Sequence, residues 1–129
     1  MAWKVKPSGS MSIPRRDEPW VTDELAARIR DEIMPRYAEP MGALMPSLHA
    51  VQELWGWISH QAMEELATVL GVNAADVLDT ASFYEEYHLH PVGKCVIGIC
   101  QSVACEMCGH QALVDHVRNR LEIDPHETT

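Results

Sequence analysis

Residues 96–110 read VIGICQSVACEMCGH and hold three of the four cysteines of the chain; the fourth, Cys95, comes directly before them. Clustered cysteines form disulfides, bind metal or carry out redox chemistry. Residues 1–20, MAWKVKPSGSMSIPRRDEPW, lack the uninterrupted apolar run of a secretory signal. We therefore expect a reducing compartment, in which clustered cysteines more often bind metal or do redox chemistry than form structural disulfides.

A strand, a loop and a helix are predicted around these cysteines. Residues 93–100, GKCVIGIC, are rich in β-branched side chains and are preceded by Pro and Val, which is typical of a short strand. Residues 109–123 place apolar side chains four residues apart, which predicts a helix. Cys100 ends the strand and Cys105 precedes the helix, so both thiols can project into the connecting loop.

Cys100 and Cys105 form a C-x4-C pair that suits half of an iron–sulfur site. The unpaired N–H groups at a helix start stabilise thiolates, the form of cysteine that binds metal. They can also donate hydrogen bonds to the sulfides of a cluster. The pair is a weak motif by itself, because a [2Fe–2S] cluster needs four ligands.

The remaining cysteines have different predicted roles. Successive side chains of a strand point to opposite faces, so we expect Cys95 to point away from Cys100 and to be a small buried apolar residue. Cys105 and Cys108 form a C-x-x-C at the predicted helix start, where thiol–disulfide oxidoreductases carry their reactive pair. Adding His110 would give enough ligands for zinc, although structural zinc sites usually draw on two separated ligand pairs. A redox dithiol is therefore the alternative to an iron–sulfur site.

Four short amphipathic helices are predicted over residues 22–87. Capping and helix-breaking residues mark their ends: Thr22, Asp23, Pro35, Ser59, Gly71 and Asn73. The second helix is expected to present an apolar stripe made of Leu48, Val51, Leu54, Trp55 and Ile58.

The charge of the chain limits the classes of partner. Ten Lys and Arg residues against nineteen Asp and Glu residues give a formal net charge of −9, which argues against non-specific binding to nucleic acid. It suits a soluble protein or an acidic subunit that docks on a more basic partner. The sequence has no run long enough to span a bilayer, no Ser/His/Asp arrangement and no phosphate-cradling glycine loop. We therefore expect no direct membrane insertion, no catalytic residues and no independent binding of NADH or flavin.

Four stretches carry a resemblance to a known family. They are ALMPSLHAVQELWGWI at 43–58, DVLDTASFYEEY at 76–87, PVGKCVIGICQSVAC at 91–105 and LEIDPHETT at 121–129. The chain resembles the thioredoxin-like [2Fe–2S] subunit of NADH:quinone oxidoreductase (complex I), a family shared with NAD-reducing hydrogenases and NAD-dependent formate dehydrogenases.

The resemblance implies an α+β fold in two domains. After a flexible arm at residues 1–20, a helical domain would cover residues 21–88, and the first part of a thioredoxin-like [2Fe–2S] α/β domain would cover residues 89–129. Cys100 and Cys105 would be the first pair of cluster ligands. The second pair of the family, a C-x3-C, lies some tens of residues further on, so we expect this sequence to be part of a longer chain.

The sequence departs from the family pattern at three positions. Cys95 stands where the family often has His or Tyr, Cys108 is unusual, and His126 replaces the glycine of a G-E-T-T turn. Phe83 and Tyr84 belong to a family element and are expected in the helical core more readily than in contact with the cluster or a partner.

The function implied is that of an electron-transfer subunit. Its [2Fe–2S] cluster would exchange electrons with the flavin of an FMN- and NADH-binding partner, within a respiratory or other NAD-linked complex. The expected location is the cytoplasm, either free or peripheral on the inner face of the membrane through that complex. A thiol–disulfide oxidoreductase using Cys105 and Cys108 and a non-redox assembly module are the alternatives.

Overall fold

The computed structural model describes residues 13–125 and residue 127. The chain divides into two compact units, Met1–His90 and Pro91–Thr129. In the described part of each unit, the regular secondary structure is helical.

The first helix changes type along its length. α1 (Asp23–Arg28) is capped by Thr22, whose side chain accepts a backbone N–H of the first turn at 3.2 Å. The helix widens into a π turn over Ile29–Ile33 and ends in a 3-10 turn over Met34–Arg36. Pro35 explains this ending, because it has no N–H to donate and its ring clashes with the carbonyl of the preceding turn. The predicted helix, its cap and its proline-marked end are confirmed.

Three longer helices complete the first unit. They are α2 (Leu44–Trp55), which follows a 3-10 turn over Pro40–Ala43, α3 (His60–Leu70) and α4 (Ala74–Phe83). Gly56 and Gly71 end α2 and α3 with left-handed φ angles of 78° and 72°, a conformation that a side chain with a Cβ rarely adopts. Ser59 and Asn73 cap α3 and α4, with their side chains accepting backbone N–H groups at 3.1 and 2.9 Å. These predicted caps are confirmed.

A buried apolar cluster holds this unit together. α3 packs against both α4 and α2. The largest fully buried apolar side chains are Ile29, Leu44, Leu48, Val51, Ile58, Leu66 and Val77. Burial of each such side chain contributes about 1.5–3 kcal/mol to folding.

Leu54 departs from the predicted apolar stripe of α2. Its side chain is 52% exposed, whereas Leu48 and Val51 on the same helix are fully buried. Leu54 lines an open groove of about 590 Å³ between α1 and α2 that is rimmed by the carboxylates of Glu24 and Glu53. Its prediction as a core residue is wrong, because this edge of α2 faces the groove.

Trp20, which was not among the predicted core residues, links the aromatic side chains of the bundle. Its ring lies 5.3 Å from that of Trp55 and 5.1 Å from that of Trp57, both edge to face. The indole N–H of Trp55 donates to the Trp20 carbonyl oxygen at 2.7 Å. The Arg16 guanidinium lies 3.9 Å from the Trp20 ring centre, in cation–π range. Trp55 and Trp57 therefore anchor the segment before α1 to the bundle.

The segment before α1 also contacts α3. The Glu65 carboxylate accepts the backbone N–H groups of Trp20 and Val21, each at 2.8 Å. The described part of the predicted flexible arm, residues 13–20, is thus tied to the bundle. The rest of that prediction, residues 1–12, lies outside the described residues.

Phe83 and Tyr84 are not core residues. They are 79% and 41% exposed, and their rings contact each other edge to face at 5.0 Å. α4 ends at Phe83 and Tyr84 has extended backbone, so both side chains leave the buried face of the helix. Their prediction as core is wrong.

The second unit contains two helices, α5 (Val103–Met107) and α6 (His110–Leu121). α6 was predicted and α5 was not. No side chain in the described part of this unit is buried. Its large apolar side chains are among the most exposed in the described residues: Val96, Ile97, Val103, Met107, Leu113 and Leu121.

The predicted strand at residues 93–100 is absent from the described residues, which contain no strand. A strand is stabilised by hydrogen bonds to a neighbouring strand, and no segment in the described part of the chain pairs with this one. The α+β expectation is thus met in its helical part alone, and Cys95 and Cys100 do not occupy the two faces of a strand. No helix in the described part of the chain has both the length and the apolar content to cross a bilayer.

Two leucines on α2 test the location of the core. Leu48→Ala should lower the free energy of unfolding by about 2–5 kcal/mol, because it leaves a cavity in a fully packed region. Leu54→Ala, on the groove, should change it by less than about 0.5 kcal/mol. Urea unfolding followed by circular dichroism measures both, and equal losses would contradict the packing described for α2.

Tyr87 links the stability of the first unit to alkaline pH. Its side chain is 5% exposed and its hydroxyl donates to the Met45 carbonyl oxygen at 3.2 Å. Burial raises the pKa of Tyr87 above its ordinary value of 10.0, and the negative charge of Glu86 raises it further.

Stability should therefore decline above about pH 10, because the unfolded chain releases the Tyr87 proton before the folded chain does. The contribution of Tyr87 is complete below its unfolded pKa and is lost as the pH rises through the folded pKa. Tyr87→Phe should make the decline shallower, whereas Tyr37→Phe, at an exposed tyrosine, should leave it unchanged. Urea unfolding at a series of pH values measures the slopes, and parallel curves for Tyr87→Phe and the wild type would refute the link.

Candidate metal centre

The cysteines of the second unit surround the short helix α5. Cys100 lies two residues before Ser102, the N-cap of α5, Cys105 lies within the helix, and Cys108 is its C-cap. All four cysteines are thiols rather than disulfides. Cys105 is partly buried and the other three are exposed, so a metal or a second thiol has access to all of them.

Cys95 is exposed, although it was predicted to be buried. It lies in the extended segment before Cys100, where the described residues provide no covering element. Its interpretation as a buried apolar residue is wrong. The argument that it points away from Cys100 also loses its basis, because that argument required a strand.

The Cys100 sulfur is in contact with Ser102. Cys100 Sγ lies 3.4 Å from Ser102 Oγ, a distance at which sulfur and oxygen can share a hydrogen bond. The Ser102 side chain makes no capping bond to α5. This hydroxyl therefore lies beside a candidate ligand and is not engaged by the helix that it precedes.

Cys105 and Cys108 occupy opposite ends of one helical turn. The N–H of Glu106 donates to the Ser102 carbonyl oxygen at 2.9 Å, which starts α5. The N–H of Cys108 donates to carbonyl oxygens of this turn, including that of Cys105 at 3.1 Å, and the left-handed Gly109 (φ 85°) then separates α5 from α6. Carbonyl groups at a helix end disfavour negative charge, so Cys108 lacks the thiolate-stabilising N–H environment that the redox alternative expected.

The donor set fits half of a cluster site rather than a complete metal site. In the part of the chain that the structure describes, no group of three or more His, Cys, Asp or Glu side chains is arranged to hold a metal ion. His110 Nδ1 is buried and has no hydrogen-bond partner, but His110 does not complete a zinc site with the cysteines. Cys100 and Cys105 fit half of the four-thiolate ligand set of a [2Fe–2S] cluster, in agreement with the C-x4-C interpretation.

Sequence reasoning missed α5 and the role of Ser102. A signal for both was present, because a serine directly before the run VACEM is a typical N-cap. The predicted helix was instead started at residue 109, since its apolar periodicity begins there.

Comparison with known proteins identifies the family. Residues 30–129 match the model of the thioredoxin-like [2Fe–2S] ferredoxin family. One NADH-quinone oxidoreductase subunit, from Escherichia coli K12, is 38% identical over 109 residues, which cover 82% of this chain and 66% of that protein. The subunit of the same name from Pseudomonas aeruginosa is 34% identical over 96 residues (74% and 58%). NADH-quinone oxidoreductase subunit 2 from Thermus thermophilus is 37% identical over 87 residues (67% and 48%).

The chain spans between 48% and 66% of the length of these relatives. The match extends over residues 30–129 and so includes Cys100, Cys105 and both helices of the second unit. It confirms the recognition made from the sequence motifs, and it confirms the [2Fe–2S] cluster as the cofactor of the family. The chain belongs to the thioredoxin-like [2Fe–2S] ferredoxin family.

Proposed function

We propose that this chain is an electron-transfer subunit of an NADH-quinone oxidoreductase-type complex and that Cys100 and Cys105 are the first pair of ligands to its [2Fe–2S] cluster. The observation that carries the proposal is the pair of accessible thiols before and within α5, in a chain of a [2Fe–2S] family. Relatives named as subunits of that enzyme support the assignment to a complex.

The two cysteines act as thiolates, which bind iron far better than thiols. Such a cluster accepts and releases one electron at a time. The remaining ligands come from a second pair of cysteines, because a cluster of this type takes four. The contribution of this chain is to fix the spacing of the first pair: the turn at Ser102 and the start of α5 determine where Cys105 lies relative to Cys100.

The thioredoxin-like α/β fold is part of the same proposal. Val96 and Ile97 are 58% and 59% exposed, and two adjacent exposed β-branched residues are typical of a segment that another strand or helix covers. In the complete domain, residues 93–100 would form a strand once a neighbouring strand supplies the missing hydrogen bonds.

The helical unit is proposed to dock the subunit on the NADH-oxidising flavoprotein, with which the cluster exchanges electrons. Phe83 is 79% exposed and Tyr84 is 41% exposed, and exposed aromatic side chains are enriched where protein surfaces bind one another. The net charge of −9 favours a basic partner surface around such an aromatic anchor.

Single substitutions of the cysteines test the ligand assignment. In the full-length gene product, reconstituted anaerobically, Cys100→Ser and Cys105→Ser should each lose most of the iron and labile sulfide, because a hydroxyl is a poor ligand for iron. Cys95→Ser and Cys108→Ser are matched controls within the same segment and should retain the wild-type content.

Iron and sulfide analysis together with visible absorption measures the outcome. Retention of the cluster in Cys100→Ser would remove Cys100 from the ligand set. A protein that binds no cluster but loses dithiol activity on Cys108→Ser would favour the thiol–disulfide alternative over electron transfer.

The docking proposal predicts a local effect of Phe83. Phe83→Ser should weaken the association with the flavoprotein by roughly tenfold or more, since a buried aromatic anchor contributes about 2 kcal/mol to binding. Leu54→Ser, at another exposed apolar residue of the same unit, should leave the affinity unchanged. Affinity measured by biolayer interferometry distinguishes the two, and equal losses would place the interface elsewhere.

A further inference from the structure

Ser102 differs from the other polar N-caps in the described helices. The side chains of Thr22, Ser59 and Asn73 each accept a backbone N–H of the helix that they precede. Ser102 has the same extended backbone (φ −65°, ψ 160°) and makes no such bond. Its Oγ lies 3.4 Å from Cys100 Sγ instead, so the hydroxyl is available to the sulfur.

The direction of this hydrogen bond depends on the state of the sulfur. A thiol can donate its proton to Ser102 Oγ, but a cysteine bound to iron is a thiolate and has no proton to donate. A serine hydroxyl rotates freely about its C–O bond and both donates and accepts. With iron bound, the same contact is retained when Ser102 O–H donates to Cys100 Sγ.

Such a bond acts differently on the two oxidation states. Reduction adds one electron to the cluster, which increases the negative charge on the sulfurs. A donor to the sulfur therefore stabilises the reduced state more than the oxidised state, and hydrogen bonds to the sulfurs set the reduction potential.

We propose that Ser102 tunes the reduction potential of the [2Fe–2S] cluster upward, by donating a hydrogen bond from its hydroxyl to the sulfur of Cys100. Ser102 is a positioning residue in this role, because it acts through Cys100 and does not bind iron. The inference rests on the proposed function, in which Cys100 is a ligand.

The test is a redox titration of the full-length gene product, reconstituted anaerobically and followed by electron paramagnetic resonance. Ser102→Ala should shift the midpoint potential to more negative values, with up to about a tenfold change in the equilibrium constant for reduction, or 59 mV for a one-electron couple. Ser102→Thr retains a hydroxyl and should retain the wild-type potential.

Two further variants separate the hydroxyl from the fold. Ser102→Gly removes the hydroxyl while leaving a residue that N-caps tolerate well, so it should show the same shift as Ser102→Ala. Ser82→Ala removes a hydroxyl that bonds the Asp79 carbonyl oxygen in the first unit and should leave the potential unchanged.

The outcomes distinguish this inference from the function on which it rests. A wild-type protein without iron and labile sulfide would overturn the proposed function. A wild-type protein with a full cluster, and equal potentials in the wild type, Ser102→Ala and Ser102→Gly, would overturn the role of Ser102 and leave the proposed function standing.

Discussion

Burial of apolar side chains is the constraint on which this structure depends, and the two units meet it differently. In the first unit, α3 brings Leu66 against α2 and α4, and the fully buried cluster extends to Ile29 and Val77. In the described part of the second unit no side chain is buried. The first unit therefore has the means to hold a fixed shape by packing, whereas the second has short-range hydrogen bonds around α5 and α6.

This difference bears on the proposed chemistry. Metal binding couples to folding wherever ligands must be brought together, and a loop without a packed core gains most from such a constraint. Under the proposed function, iron bound to Cys100 and Cys105 would fix the turn at Ser102 and the start of α5. The Ser102 hydroxyl would then contact a thiolate, and the same short segment would supply both a ligand pair and a donor that adjusts its potential.

Local rules were sufficient to predict the first unit. Thr22, Ser59 and Asn73 cap helices because a side-chain acceptor satisfies an N–H group that the helix leaves unpaired, and Gly71 ends α3 because its φ is positive. Rules of this kind depend on neighbours within a few residues. The ligand pair was likewise inferred from spacing and family resemblance, and its assignment stays a proposal.

The predictions that failed depend on long-range partners. Leu54 has the periodicity of a core residue but lines the groove between α1 and α2, and Phe83 leaves the core because α4 ends there. The strand at residues 93–100 requires a neighbouring strand, and the burial predicted for Cys95 requires a covering element. The contact between Ser102 and Cys100 depends on the turn before α5, which apolar periodicity does not reveal.

The central claim is that this chain carries electrons through a [2Fe–2S] cluster held in part by Cys100 and Cys105. The most direct measurement is electron paramagnetic resonance of the native complex, isolated through an affinity tag on this protein, before and after addition of NADH. The account predicts that NADH produces the signal of a reduced [2Fe–2S] cluster, and that the signal is missing from the complex carrying Cys100→Ser. An unchanged signal in that variant, or a complex that contains this protein without any such cluster, would contradict the account.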